Sequence, residues 1–184
     1  MNAEPVKRRN GKKTIIVLAV AVIIASFCAY TFHDLNGRSF DISDRQVLLI
    51  VTDSMDGNVT EYDIDSFPPN TFVMVKHLSE EEKLALKVGD VISFWYGSIL
   101  DHHRIIETNF ASGTVTTHGD NTHSNETVKL SEINGQVVGT NHWLGEVVNF
   151  VKNNFLIVLA LIAGFAIAGE IFRAYKNGVF RKEE

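Results

Sequence analysis

Three short polar clusters carry the residue types of nucleophilic catalysis: Thr52-Asp53-Ser54-Met55-Asp56, Asp101-His102-His103-Arg104, and His118-Gly119-Asp120-Asn121 running on to Asn125-Glu126. A serine hydroxyl attacks a carbonyl only when a base takes its proton, and a neutral imidazole suits that task because it titrates near working pH. A carboxylate on the other ring nitrogen fixes the tautomer and steadies the imidazolium that forms. Ser54 is the candidate nucleophile, His102 or His103 the base, and Asp120 or Glu126 the acid that orients it. Six of the seven histidines (His77, His102, His103, His118, His123 and His142) lie beyond residue 76, which makes a metal centre the competing enzymatic reading. Their spacings do not form a known ligand pattern, such as two histidines four apart on a helix around a glutamate, and no metal is assigned.

The elements that must position these clusters are short. β-branched and aromatic runs recur between turn signals at Gln46–Thr52, Thr71–Lys76, Val91–Tyr96, Arg104–Asn109, Thr114–Thr117 and Gln136–Thr140. Strands so regularly punctuated predict a mainly β barrel or sandwich. One short helix is expected at Glu80–Lys87, capped by Ser79 with Glu82 completing a capping box and Gly89 ending it. Ser54 follows the apolar strand VLLIVT. Arg104–Asn109 and Thr114–Thr117 flank a loop containing Ser112-Gly113 and read as a hairpin. A midpoint near Ala111–Ser112 sets His103 opposite Gly119 or Asp120, so His103 and the His118–Asn121 stretch meet at one end of the sheet.

The 184 residues suit one domain of ordinary size, and a single cysteine excludes both a disulfide framework and a cysteine-ligated metal cluster. The net charge of −5 is unevenly spread: residues 1–13 carry +4, residues 170–184 carry +1, and residues 14–169 carry −10. An acidic centre argues against nucleic acid as the partner, because phosphate binding needs a basic face. Thr14–Phe32 is a run of nineteen residues without a charge, long enough as a helix for the roughly 30 Å hydrocarbon layer. No Ala-x-Ala site follows it, and Phe27 before Cys28 does not fit a lipoprotein signal, so an uncleaved anchor is expected. A second apolar run covers Phe155–Phe172. Basic residues precede the first run and follow the second, which predicts both termini in the cytoplasm. The resulting order is a basic tail (1–13), a span (14–32), an extracytoplasmic domain (33–154), a second span (155–172) and a cytoplasmic tail (173–184).

Taken in order, the motifs resemble the type I signal peptidases of the Ser-His branch, found in archaea, the endoplasmic reticulum and some sporulating bacteria. The matching residues are Ser54-Met55 after an anchor and an apolar strand, Gly89-Asp90-Val91-Ile92, His103-Arg104-Ile105, Gly119-Asp120-Asn121, and Val137-Val138-Gly139 before the final span. Bacterial housekeeping members carry a lysine where His103 stands. The resemblance implies a mainly β peptidase domain flanked by two transmembrane helices in the plasma membrane, with the domain on the outer face. It implies a serine endopeptidase that needs no cofactor. Its partners would be secretory pre-proteins with Ala-x-Ala-like cleavage sites and the lipid bilayer.

The resemblance also implies roles. Ser54 attacks, His103 (rather than His102, since Arg-Ile follows) takes the proton, and the Ser54 N–H with Thr52 stabilises the oxyanion. The acid falls at Glu126, one methylene longer than the family's aspartate, with Asp120 the rival. Asp53 stands where the family has a glycine, and Gly57 where it has a proline. Leu48, Ile50, Val73 and Val75 are candidate walls of the pockets for small substrate side chains, or plain core. Phe94, Trp95, Tyr96 and Trp143 are candidates for seating the domain at the membrane interface, or core likewise. Lys76 reads as an edge lysine rather than a general base. The alternative reading is a proteolytically inactive relative that assists assembly of secreted surface proteins.

Overall fold

The computed structural model describes residues 40–176. The expected first span, the basic tail before it and residues 177–184 lie outside the described residues. The described residues divide into two compact units, one running to Asn149 and the other containing residues 150–176.

The first unit is mainly β, as its punctuated pattern predicts. Eight strands form one sheet: β1 Phe40–Ile42, β2 Arg45–Leu49, β3 Phe72–His77, β4 Val91–Tyr96, β5 Ile99–Asn109, β6 Thr114–His118, β7 Asn125–Lys129 and β8 Ile133–Asn141. Their order is β1-β2-β3-β8-β4-β5-β6-β7 and every pairing is antiparallel. The six expected strands are all present, with β5 starting at Ile99 rather than Arg104. β1 and β7 were not foreseen. β7 reads Asn-Glu-Thr-Val-Lys and buries Val128 alone, so its apolar signal is faint.

The sheet buries a cluster on each face. Leu48, Ile50, Val73 and Val75, the candidate pocket walls, pack with Met55, Phe67, Val91 and Val137 in the first. Leu86, Ile92, Phe94, Ile105, Val115, Val128 and Ile133 form the second. Adjacent residues of a strand point to opposite faces, and β4 obeys this by sending Val91 to one cluster and Ile92 and Phe94 to the other. Of the candidate interface aromatics, Phe94 is core, whereas Trp95, Tyr96 and Trp143 are exposed.

Helix α1 spans Glu80–Lys83, shorter than expected, but its capping box is as the sequence predicts: Ser79 Oγ accepts from the Glu82 N–H, and Glu82 Oε2 accepts from the Ser79 N–H. Lys76 donates to Glu82 Oε1 at 2.6 Å. Helix α2 covers His142–Asn153. Helix α3, in the second unit, covers Phe155–Lys176 and is long and apolar enough to cross a membrane, which the sequence anticipates for 155–172. Among the described residues it is the one such helix.

Candidate active site

The β5–β6 hairpin brings the second and third polar clusters together. Asn109 pairs with Thr114, an irregularity falls between Ile105 and Glu107, and the ladder ends with Arg104 opposite His118. Gly119, the first residue past β6, therefore lies beside His103, which stays in β5 paired with Ile92; the spacing predicts His103 opposite Gly119 or Asp120. A Cβ on Gly119 would sit 2.8 Å from His103 Nε2, so only a glycine permits this approach.

The Ser54 loop docks on the same place. After β2 the chain turns back on itself, with the Asp56 N–H donating to Asp53 O, while Met55 plunges into the first cluster and fixes the loop from below. The Asn121 N–H donates to Ser54 O at 2.8 Å and the Asn121 side-chain amide donates to Asp53 O at 3.1 Å. The same imagined Gly119 Cβ lies 2.8 Å from Ser54 O, so twice that distance bounds the gap between Ser54 O and His103 Nε2. At Gly57 a Cβ would meet the Asp120 carbonyl oxygen at 2.5 Å. That close approach gives a physical reason for glycine at this position. Thr52 Oγ1 lies 3.5 Å from Ser54 Oγ, the outer limit of a hydroxyl hydrogen bond.

The two candidate acids take different partners. Glu126, on β7 opposite Thr117, places Oε2 3.0 Å from His103 Nδ1. Asp120 instead receives the Arg104 guanidinium in a two-point grip, Nε to Oδ1 at 2.9 Å and Nη2 to Oδ2 at 2.6 Å, and a third bond from Ser66 Oγ at 2.6 Å. Arg104 also donates to the carbonyls of Ile64 and Gly89 and stacks over the Tyr62 ring. The division follows from strand alternation. His103, Ile105, Thr117 and Glu126 share one face through their cross-strand pairs, whereas Arg104 and His118 belong to the other. Sequence reasoning did not identify Arg104 and Ser66 as the anchor of Asp120, although the arginine of the His-Arg-Ile motif was a visible signal.

The histidine pair divides in the same way. His103 lies in a tilted contact with Phe94, ring centroids 5.8 Å apart, on the face of the second cluster. His102 faces the other side opposite Ser93, where burial pushes its pKa down to about 4 and His103 adds repulsion, while Asp101 works the other way. His102 is thus a neutral core histidine on the side of the sheet away from Glu126. His103 is buried too, and its Nε2 has no hydrogen-bond partner. The nearest carboxylate to Nε2 is Asp101 Oδ1 at 3.8 Å, a neighbour not assigned from the sequence.

Asp101, His103 and Glu126 also present ligand atoms within 4.8 Å of one another. The two carboxylates, however, approach different ring nitrogens whose lone pairs diverge. That geometry suits an imidazole held at Nδ1 by an acid and free to accept a proton at Nε2. A base and its orienting acid in a serine nucleophile system require an arrangement of this kind, and the Ser54 loop is braced beside it through its backbone.

No protein-family model and no curated protein matches the chain.

Proposed function

We propose that this chain is a membrane-anchored serine endopeptidase of the signal peptidase type. It removes N-terminal signal peptides from secretory pre-proteins after small residues, on the outer face of the membrane. The observation that carries the reading is the 3.0 Å contact of Glu126 on His103 Nδ1, with the unpartnered Nε2 turned to the Gly119 strip on which the Ser54 loop rests. The ordered motifs of the sequence and the apolar helix α3 support it from separate directions.

In this mechanism Ser54 Oγ attacks the scissile carbonyl and its proton passes to His103 Nε2. Burial makes a bare imidazolium costly, and the Glu126 carboxylate offsets that cost at Nδ1 without itself taking the proton. The Ser54 N–H and the Thr52 hydroxyl donate to the oxyanion, and a donor of this kind is worth about 3–4 kcal/mol of transition-state stabilisation. His103 returns the proton to the leaving amine. Water then enters and gives its proton to the same nitrogen as it adds to the acyl carbon; the bond to Ser54 Oγ breaks, and His103 returns that proton to Oγ. Asp120, gripped by Arg104 and Ser66, braces the turn and takes no part in proton transfer.

The test is cleavage of a pre-protein bearing an Ala-x-Ala site by the full-length protein in detergent, wild type beside Ser54→Ala and His103→Ala. Wild type should cut after the second alanine and both variants should be inactive while folded. A folded wild type that leaves every pre-protein intact would overturn the proposal in favour of a non-proteolytic assembly factor. Cutting by Ser54→Ala would disqualify the nucleophile.

A further inference from the structure

Strand β5 outruns its partner on one side. It pairs with β4 from Ile99 to Arg104, whereas its ladder to β6 begins only at Arg104. Among the described residues no strand lies against that second side of β5 from Ile99 to His103. Neighbouring bonds show which backbone groups face the open edge. The Gly89 N–H donates to Ile105 O and the Ile105 N–H donates to Asp90 O, both on the β4 side. Backbone groups of an antiparallel strand alternate between its two edges. Ile105, His103 and Asp101 therefore turn theirs to β4, and His102 turns its N–H to the open edge.

An unpaired edge is a template for one more extended segment, and this one ends at His103. The His102 N–H is already taken, however. Asp101, the residue before it, folds its own carboxylate back and accepts that hydrogen at Oδ1, 2.8 Å away. The same oxygen stands 3.8 Å from His103 Nε2, which is buried and has no hydrogen-bond partner. Asp101 and His103 are two apart on the strand and share a face, which lets one oxygen stand beside both groups. A backbone donor left unmet costs free energy, so the cap stabilises the edge while it is empty. The Asp101 side chain is 30% exposed, so it has solvent to swing into.

We infer that Asp101 guards the approach to His103: its carboxylate holds the edge donor that the carbonyl of an extended peptide takes on binding, and peptide enters by displacing it. This rests on the peptidase reading in that the peptide must reach His103. A leaving nitrogen that receives a proton from Nε2 comes within about 3 Å of it, and so passes beside Asp101 Oδ1. Entry exchanges a charge-assisted hydrogen bond for a neutral one. The guard thereby holds down affinity for every peptide and rejects those that make too few other strand contacts. Asp101 is a positioning residue here, outside the path of the proton.

The experiment uses the full chain in detergent carrying Ser54→Ala, so that binding is read without cleavage. The probe is an end-capped peptide with an Ala-x-Ala site and no charged side chain. Calorimetric titration gives Kd for Ser54→Ala alone and with Asp101→Asn or Asp101→Ala added. Asp101→Ala should tighten Kd about fivefold, because no hydrogen bond is surrendered on entry. Asp101→Asn keeps a neutral acceptor and should tighten it about twofold. An unchanged or weaker Kd with Asp101→Ala would overturn the guard. Equal tightening by both would overturn it as well, since the gain would then trace to charge and not to the capped donor. Absence of binding in all three would exclude peptide entry along this edge. Cleavage by the wild-type chain beside a Kd unmoved by Asp101→Ala would remove the guard and leave the peptidase standing.

Discussion

Replacing Asp120 by asparagine separates structural support from catalysis at this site. The Asp120 and Arg104 side chains are 2% and 3% exposed, and three donors converge on the Asp120 carboxylate. Asparagine keeps the shape but presents an amide donor to a guanidinium donor and leaves the arginine charge buried without its counter-ion. Removing one partner of a buried pair costs about 3–5 kcal/mol. The loss is shared by everything Arg104 ties down, the carbonyls of Ile64 and Gly89 included. For the β unit running to Asn149 this predicts a fall in Tm of about 10–20 °C. Glu126→Gln is the counterpart. Its side chain is 27% exposed and exchanges one charge-assisted hydrogen bond for a neutral one, a cost of about 1 kcal/mol and a few degrees. Thermal unfolding of the detergent-solubilised chain, followed by near-ultraviolet circular dichroism, reads both. Cleavage rates at equal folded concentration then complete the comparison: Glu126→Gln should lose turnover with little loss of stability, and Asp120→Asn the reverse. An Asp120→Asn protein that melts within a couple of degrees of wild type would refute the reasoning, and so would a Glu126→Gln protein that melts as early as Asp120→Asn.

Two more outcomes follow from the same geometry. Gly119→Ala places a methyl 2.8 Å from both His103 Nε2 and Ser54 O, so one of them must move. The fold should survive while kcat/KM for pre-protein cleavage drops on the order of a hundredfold, as displacements near 1 Å typically cause; an unchanged kcat/KM would show that the two loops do not meet there. Stability should also depend on His102. Its folded pKa, about 4 through burial, lies below the ordinary 6.5, so the unfolded chain binds the extra proton between those values. Stability is then complete above pH 6.5 and declines by about 3 kcal/mol as pH falls to 4. Urea titrations of the full chain across that range should show the decline in wild type and a flatter profile in His102→Gln; equal slopes would remove His102 from the account.

Much of this protein is local and therefore readable in its residues. The Ser79–Glu82 capping box needs a reach of only three positions. The six expected strands announce themselves by β-branched runs between turns. Counting outward from the Ala111–Ser112 turn sets His103 opposite Gly119 or Asp120, since a hairpin's register is set by its own loop; the irregularity between Ile105 and Glu107, which no local signal marks, decides for Gly119. The apolar run at 155–172 is long enough to declare itself by composition. The choice between Glu126 and Asp120 could not be made this way, because it depends on which face each side chain takes. β7 carries Glu126 yet has a single buried apolar residue, Val128, so nothing periodic marks it as a strand. Only when β7 pairs with β6, and β6 with β5, does Glu126 arrive on the His103 face while the next residue, Arg104, turns to the other face and takes Asp120. Likewise, adjacent His102 and His103 are chemically identical in the sequence. The sheet separates them by burying one on the face away from Glu126 and setting the other against the Glu126 carboxylate, because a pleated strand sends neighbours to opposite sides.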